Sequence, residues 1–281
     1  MTSQAPVEST PLRADALTAG RIAAATLVCG AAILLFAVHE RPLGYVPLVA
    51  GVLLAFFIDR SLAKDLSLIA IGQLIISAIS LEADLSDAGI TRFAIALSLA
   101  VLVPWALARY WLKHDAVKFP VNTGVRWTKA QWWYLGFVIL AGYLILPFYF
   151  IGSGAYMNWP EITGGDEIAR LFVGVNAVGI WDELFFICTV FALLRRHFPM
   201  WLANILQTLV FVSFLWELGY REWGPLLTIP FALIQAWIFS KYKSLPYVIT
   251  VHLLFDAVVF AVLVHAHHPD LFNVFITVPG R

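Results

Sequence analysis

Five side chains in the last third of this chain have the types and spacing to do chemistry: Asp182, Glu183, Glu217, His252 and Asp256. Asp182 and Glu183 are adjacent acids inside a long apolar run. Asp182 follows Arg170 by 12 residues and Glu183 precedes Arg195 by 12, so about 18 Å of helix separates the pair from either charged end. Two carboxyls at that depth cannot both ionise comfortably without a cation, a metal or a network of donors. A carboxyl poised between acid and base is what the activation of water requires. His252 and Asp256 are four residues apart. On a helix both therefore point the same way. An imidazole and a carboxylate on one face can fix a tautomer, bind a metal or polarise a carbonyl. Glu217 is the third acidic position. It lies nearer a helix end, where it could instead pair with Arg221 one turn on. Gln207, Gln235, Asn176 and Asn204 also fall inside apolar runs, where such residues usually make interhelical hydrogen bonds.

The elements that must hold these residues are membrane helices. Of the 281 residues 61% are hydrophobic and 13% charged, against about 45–50% and 25% in soluble domains. That much apolar surface needs lipid around it. The fold class expected is all-α, a polytopic transmembrane bundle of eight to nine spans. The runs are 22–38, 43–58, 66–81, 92–111, 131–151, 168–194, 199–219, 224–240 and 245–265. Membrane lipid is thus an expected partner. The net charge of zero argues against nucleic acid, which needs a basic surface. Cys29 and Cys188 lie in apolar runs, and no disulfide or zinc-type spacing is expected. No cleavable signal peptide is expected at the N-terminus.

Lysines and arginines orient the bundle. With the N-terminus in the cytoplasm, only Arg41, Arg92, Arg170, Arg221 and Arg281 fall outside, and the remaining 13 of the 18 lie inside, every lysine among them. Glu82, Asp84 and Asp87 share one outside loop. This is the distribution the positive-inside rule demands, and it suits a bacterial inner membrane. Residues 110–130, followed by Trp132 and Trp133, read as an interfacial segment. The organisation expected is a disordered cytoplasmic tail over 1–20, N-terminal helices over 21–151, a core carrying the site over 152–265, and a C-terminal tail over 266–281.

The acidic pair, a Phe-rich span after it and the final His252-x-x-x-Asp256 resemble the CPBP family. These are the CAAX-processing and bacteriocin-processing intramembrane endopeptidases, also called the Abi family. The family's signatures are Glu-Glu-x-x-x-Arg, Phe-x-x-x-His and His-x-x-x-Asn, in that order on four core helices. The resemblance covers roughly residues 165–265. Asp182-Glu183 stand at the first pair, and the family arginine falls at Ile187. The second motif's histidine has no counterpart, and Glu217 is the nearest polar residue. The resemblance implies that Glu183 or Asp182 activates a water while His252 with Asp256 stabilises the oxyanion. It also implies cleavage of a membrane-associated peptide or protein near the cytoplasmic face. The departures leave up to four carboxylates and one imidazole around one cavity, so Asp182, Glu183, Glu217, His252 and Asp256 could also hold a divalent zinc, manganese or iron. A non-proteolytic scaffold or immunity protein of the same fold, and a transporter using the acids as a proton relay, are the alternatives.

Overall fold

The computed structural model describes residues 17–122 and 124–278. Residues 1–16 of the expected N-terminal tail and 279–281 of the C-terminal one lie outside the described residues. Among the described residues nine long helices follow one another: α1 (Ala19–Ala37), α2 (Arg41–Ile58), α3 (Arg60–Ser77), α4 (Asp87–Trp111), α5 (Lys129–Gly152), α6 (Gly165–Arg195), α7 (Met200–Leu218), α8 (Pro225–Tyr242) and α9 (Leu245–His267). They match the nine apolar runs one for one. Seven are long and apolar enough to cross a membrane. The other two are α3, which carries Arg60, Lys64 and Asp65, and α8, whose apolarity is lowered by Gln235, Ser240 and Lys241. The protein is an integral membrane helical bundle.

Local chemistry sets the helix ends. Asp59 caps α3 by accepting from the Ser61 and Leu62 amides, and Ser86 caps α4 through Gly89. Thr128 and Gln131 close a capping box on α5, a pattern that satisfies two orphan amides at once. Gly219 ends α7 at φ 139°, a conformation that a side chain disfavours.

Alternating helices create two loop faces. At one, residues 78–86, 153–164 and 219–224 are tied together: Arg170 donates to the Leu85 carbonyl at 3.1 Å, Arg221 to Glu82 at 3.3 Å, and Asn158 to the Gly219 carbonyl at 3.5 Å. This is the acidic face. At the other, the lysine face, Asp65 of α3 meets Arg196 at 2.8 Å, His197 at 2.7 Å and His114 at 3.2 Å. Arg21 of α1 reaches Asp59 at 2.9 Å beside them. These contacts link α1, α3, the end of α6 and the 112–128 segment, and removing one partner would leave a buried charge unpaired.

The first five helices are not a separate appendage to the site. Trp181 of α6 donates to the Leu97 carbonyl of α4 at 2.7 Å. On α3, a side chain at Gly72 would collide with the Phe185 ring of α6, so the glycine lets the two helices meet.

Candidate active site

α6 is a regular α-helix up to Asp182, then widens into a π-helix over Glu183–Phe191. Such segments are rare and gather at functional sites. The change of winding falls between the two acids, and they grip opposite sides of one ring. Glu183 Oε1 lies 2.8 Å from His252 Nδ1. Asp182 Oδ2 lies 3.6 Å from His252 Nε2, and Asp256 Oδ1 lies 3.9 Å from the same nitrogen. All four residues are at most 5% exposed. The structure therefore brings together Asp182, Glu183, His252 and Asp256.

α9 can approach because α6 carries Gly179. A Cβ there would overlap Asp256 Oδ2 and stand 3.3 Å from His252 Cδ2. Aromatic rings hold the imidazole on its other flank: Phe231 packs edge-on at 4.9 Å and Phe211 at 6.3 Å. Ile187, at the position of the family arginine, is buried in apolar surroundings.

Gln235 of α8 belongs to this cluster, although as a mid-helix amide it resembled the ordinary interhelical hydrogen bonders. Its Nε2 donates to Glu183 Oε1 at 2.6 Å and sits 3.1 Å from the Val248 carbonyl. Asn204 and Gln207 do tie α7 to α8, donating to the carbonyls of Leu233 and Ala232. Sequence alone gave no signal that separates Gln235 from them.

The structure does not bring Glu217 to the cluster. Its carboxylate accepts the Leu81 amide at 2.9 Å and lies 4.0 Å from both His39 and Arg41. It is 1% exposed. It does not pair with Arg221 either, because that guanidinium reaches Glu82. The residues that α7 turns toward the site are Phe211, against the His252 ring, and Leu215 and Leu218, which line the cavity. Glu217 is an acceptor for a buried loop turn, so Glu217→Leu should leave the Leu81 amide unsatisfied and cost about 1–3 kcal/mol. Thermal unfolding of the detergent-solubilised variant should show the loss, while turnover per folded molecule stays at the wild-type value.

The five-residue metal set is likewise not assembled. Among the described residues no group of three or more His, Cys, Asp or Glu side chains is arranged to hold a metal ion. Glu217 lies elsewhere, and His252 commits Nδ1 to Glu183. What the cluster does offer is hydrogen-bonding capacity. Asp182 Oδ1, Glu183 Oε2 and Asp256 Oδ2 are buried without a hydrogen-bond partner among the described residues, which is uncommon for buried polar atoms unless they have work to do.

A cavity of about 500 Å³ reaches the cluster. Asp182, His252 and Asp256 line it, whereas Glu183 does not. The acidic pair is thus divided: Asp182 faces the open space, and Glu183 stands behind the imidazole.

Residues 165–258, from the start of α6 into α9, match a family described as type II CAAX prenyl endopeptidase Rce1-like. No curated protein matches the chain, and no solved structure does. The matched segment, about a third of the chain, is similar to the Rce1-like endopeptidase family and holds all four clustered residues and Gln235.

Proposed function

We propose that the cluster hydrolyses a peptide bond of a membrane-associated peptide or protein, with His252 as general base. One observation carries the reading: Glu183 holds Nδ1 at 2.8 Å while the ring lines the cavity with Asp182 and Asp256 beside Nε2. A neutral imidazole that donates its Nδ1–H to Glu183 presents the Nε2 lone pair to the cavity. The separations of 3.6 and 3.9 Å from Nε2 to the two aspartates are too long for direct hydrogen bonds and suit a bridging water. Nε2 takes a proton from that water as its oxygen attacks the carbonyl carbon. The imidazolium so formed, held by Glu183, offsets the charge of the tetrahedral oxyanion. It then passes the proton to the leaving amine as the C–N bond breaks.

Asp182 orients the water, and Gln235 fixes Glu183. The lysine and arginine distribution supports a cytoplasmic N-terminus in a bacterial inner membrane. The test is direct. Proteoliposomes holding the protein and a candidate membrane polypeptide should yield two fragments with a new N-terminus. Asp182→Asn, present at equal level, should slow their appearance by about 10²-fold, the lower end for a group that positions a proton transfer. Undiminished cleavage by that variant would sink the assignment.

A further inference from the structure

The cavity is one-sided. α4 lines it from Ile90 to Leu102 and α6 from Arg170 to Leu184. Both stretches belong to the part of each helix that starts at the acidic face. α7 contributes only its last turn, through Leu215 and Leu218, and α8 only its beginning, from Leu227 to Phe231. α9, which starts at the opposite face, contributes only His252, Phe255 and Asp256. The loop residues on its rim, Ala83, Asp84, Leu85, Trp159 and Tyr220, all come from the acidic face. Among the described residues none of 112–128, 196–199 or 243–244 lines it.

Below the cluster the packing is closed. Gln235 bridges Glu183 and the Val248 carbonyl. Beneath it Ala236, Val248 and Val251 are fully buried. The start of α9 is then stitched to the lysine-face segment: Tyr247 donates to the Gln131 carbonyl at 3.0 Å, Trp127 packs on the Tyr247 ring at 5.2 Å, and the Leu245 amide donates to the Pro120 carbonyl at 3.1 Å. A polypeptide coming from the lysine face would have to unpack this layer. One coming from the acidic face descends between α4 and α6 and meets Asp182 about 12 residues, or roughly 18 Å, below Arg170.

The geometry points to loading of the site from the acidic face, by an apolar segment that passes between α4 and α6. The walls along that route are Phe93, Leu97, Val101, Val178 and Ile180, interrupted by the hydroxyls of Ser98 and Thr228, with the charged groups at the rim and the floor. Such a slot selects apolar side chains beside the scissile bond. The lysine and arginine distribution makes this the outer face, opposite to the one expected from the motif resemblance. The inference rests on the cluster being hydrolytic, but its direction can be tested without any hydrolysis.

Gly174 provides the reporter. It lines the cavity, and a Cβ there meets nothing within 4 Å. Cys29 and Cys188 are both buried, so background labelling is low. Gly174→Cys is treated in sealed right-side-out and inverted vesicles with a charged, membrane-impermeant methanethiosulfonate. Glu161→Cys and Lys118→Cys, both at exposed positions, mark the two faces. Gly174→Cys should label from the side that labels Glu161→Cys and stay unlabelled from the other. Labelling only from the Lys118→Cys side, or from neither, overturns the inference.

In the second measurement, the modified Gly174→Cys protein should lose hydrolysis relative to the same variant unmodified. Full modification with unchanged hydrolysis overturns the proposed path. Absence of hydrolysis in the wild-type protein, together with labelling from the Glu161→Cys side, would instead condemn the hydrolytic reading and leave the direction of access standing.

Discussion

Hydrolysis by His252→Ala should fall by about 10³–10⁴-fold in turnover, to what desolvation and binding alone sustain. In the proposed cycle the ring takes a proton from water and returns it to the leaving amine. Its loss also leaves Glu183 without its partner at Nδ1, so His252→Gln, which keeps a polar side chain, is the control for folding. Glu183→Gln should be nearly as damaging, for a different reason. Glu183 only accepts, so it draws the ring proton to Nδ1 across the 2.8 Å contact. A glutamine amide can donate to Nδ1 instead and move the proton to Nε2, where it blocks the attack. In a serine-protease triad a wrong tautomer of this kind costs about 10⁴-fold. Parallel single-turnover assays on the three variants, each normalised to folded protein, check both effects. Wild-type rates in Glu183→Gln would remove Glu183 from its orienting role.

The second large effect belongs to a residue with no functional group. Gly179→Ala should lower turnover by about 10²-fold, the scale set by a misplacement of about 1 Å at a reacting centre. The added Cβ overlaps Asp256 Oδ2 and crowds His252 Cδ2 at 3.3 Å. The Asp256 carboxyl is the mobile end of a short side chain, so it swings aside and α9 keeps its place. Replacing a helical glycine by alanine otherwise favours the helix by about 1 kcal/mol, which offsets part of the crowding. The variant should therefore unfold near the wild-type temperature while hydrolysing poorly. Gly136→Ala, on the exposed side of α5 with nothing within 4 Å of its Cβ, should change neither.

Much of this was legible in the sequence, for identifiable reasons. Apolar runs long enough to span a bilayer are set by composition, so the nine runs could be marked in advance, within an expectation of eight to nine spans. The His252–Asp256 pair follows from a four-residue spacing that any helix honours. The fate of Glu217 depends on long-range folding. The 78–86 loop returns beneath the end of α7, and the bond from Leu81 to Glu217 joins residues 136 positions apart. Neither local pairing with Arg221 nor membership of the site could have been settled without that loop. The division of labour between Asp182 and Glu183 was hidden too, because adjacent residues look equivalent until the helix changes pitch between them. Gln235 was passed over because its position along α8 says nothing about which neighbour it faces. The share of α4 in the cavity was invisible for the same reason, and it makes an early boundary at residue 151 a poor guide to what the site needs.

The π segment of α6 has an evolutionary side. Over Glu183–Phe191 the helix carries about one residue more than an α-helix of the same rise. Asp182 lies ahead of this surplus and Glu183 opens it, while Arg196 and His197, which hold Asp65, lie behind it. An extra residue taken up by a π turn leaves the helix on either side nearly in phase. Losing one codon from the stretch 184–191 would restore regular winding, shift the side chains between the two ends around the helix axis, and leave the lysine-face clamp in place. A change of length in α6 should therefore be borne better here than in its regular part, where one residue turns everything beyond it by about 100°.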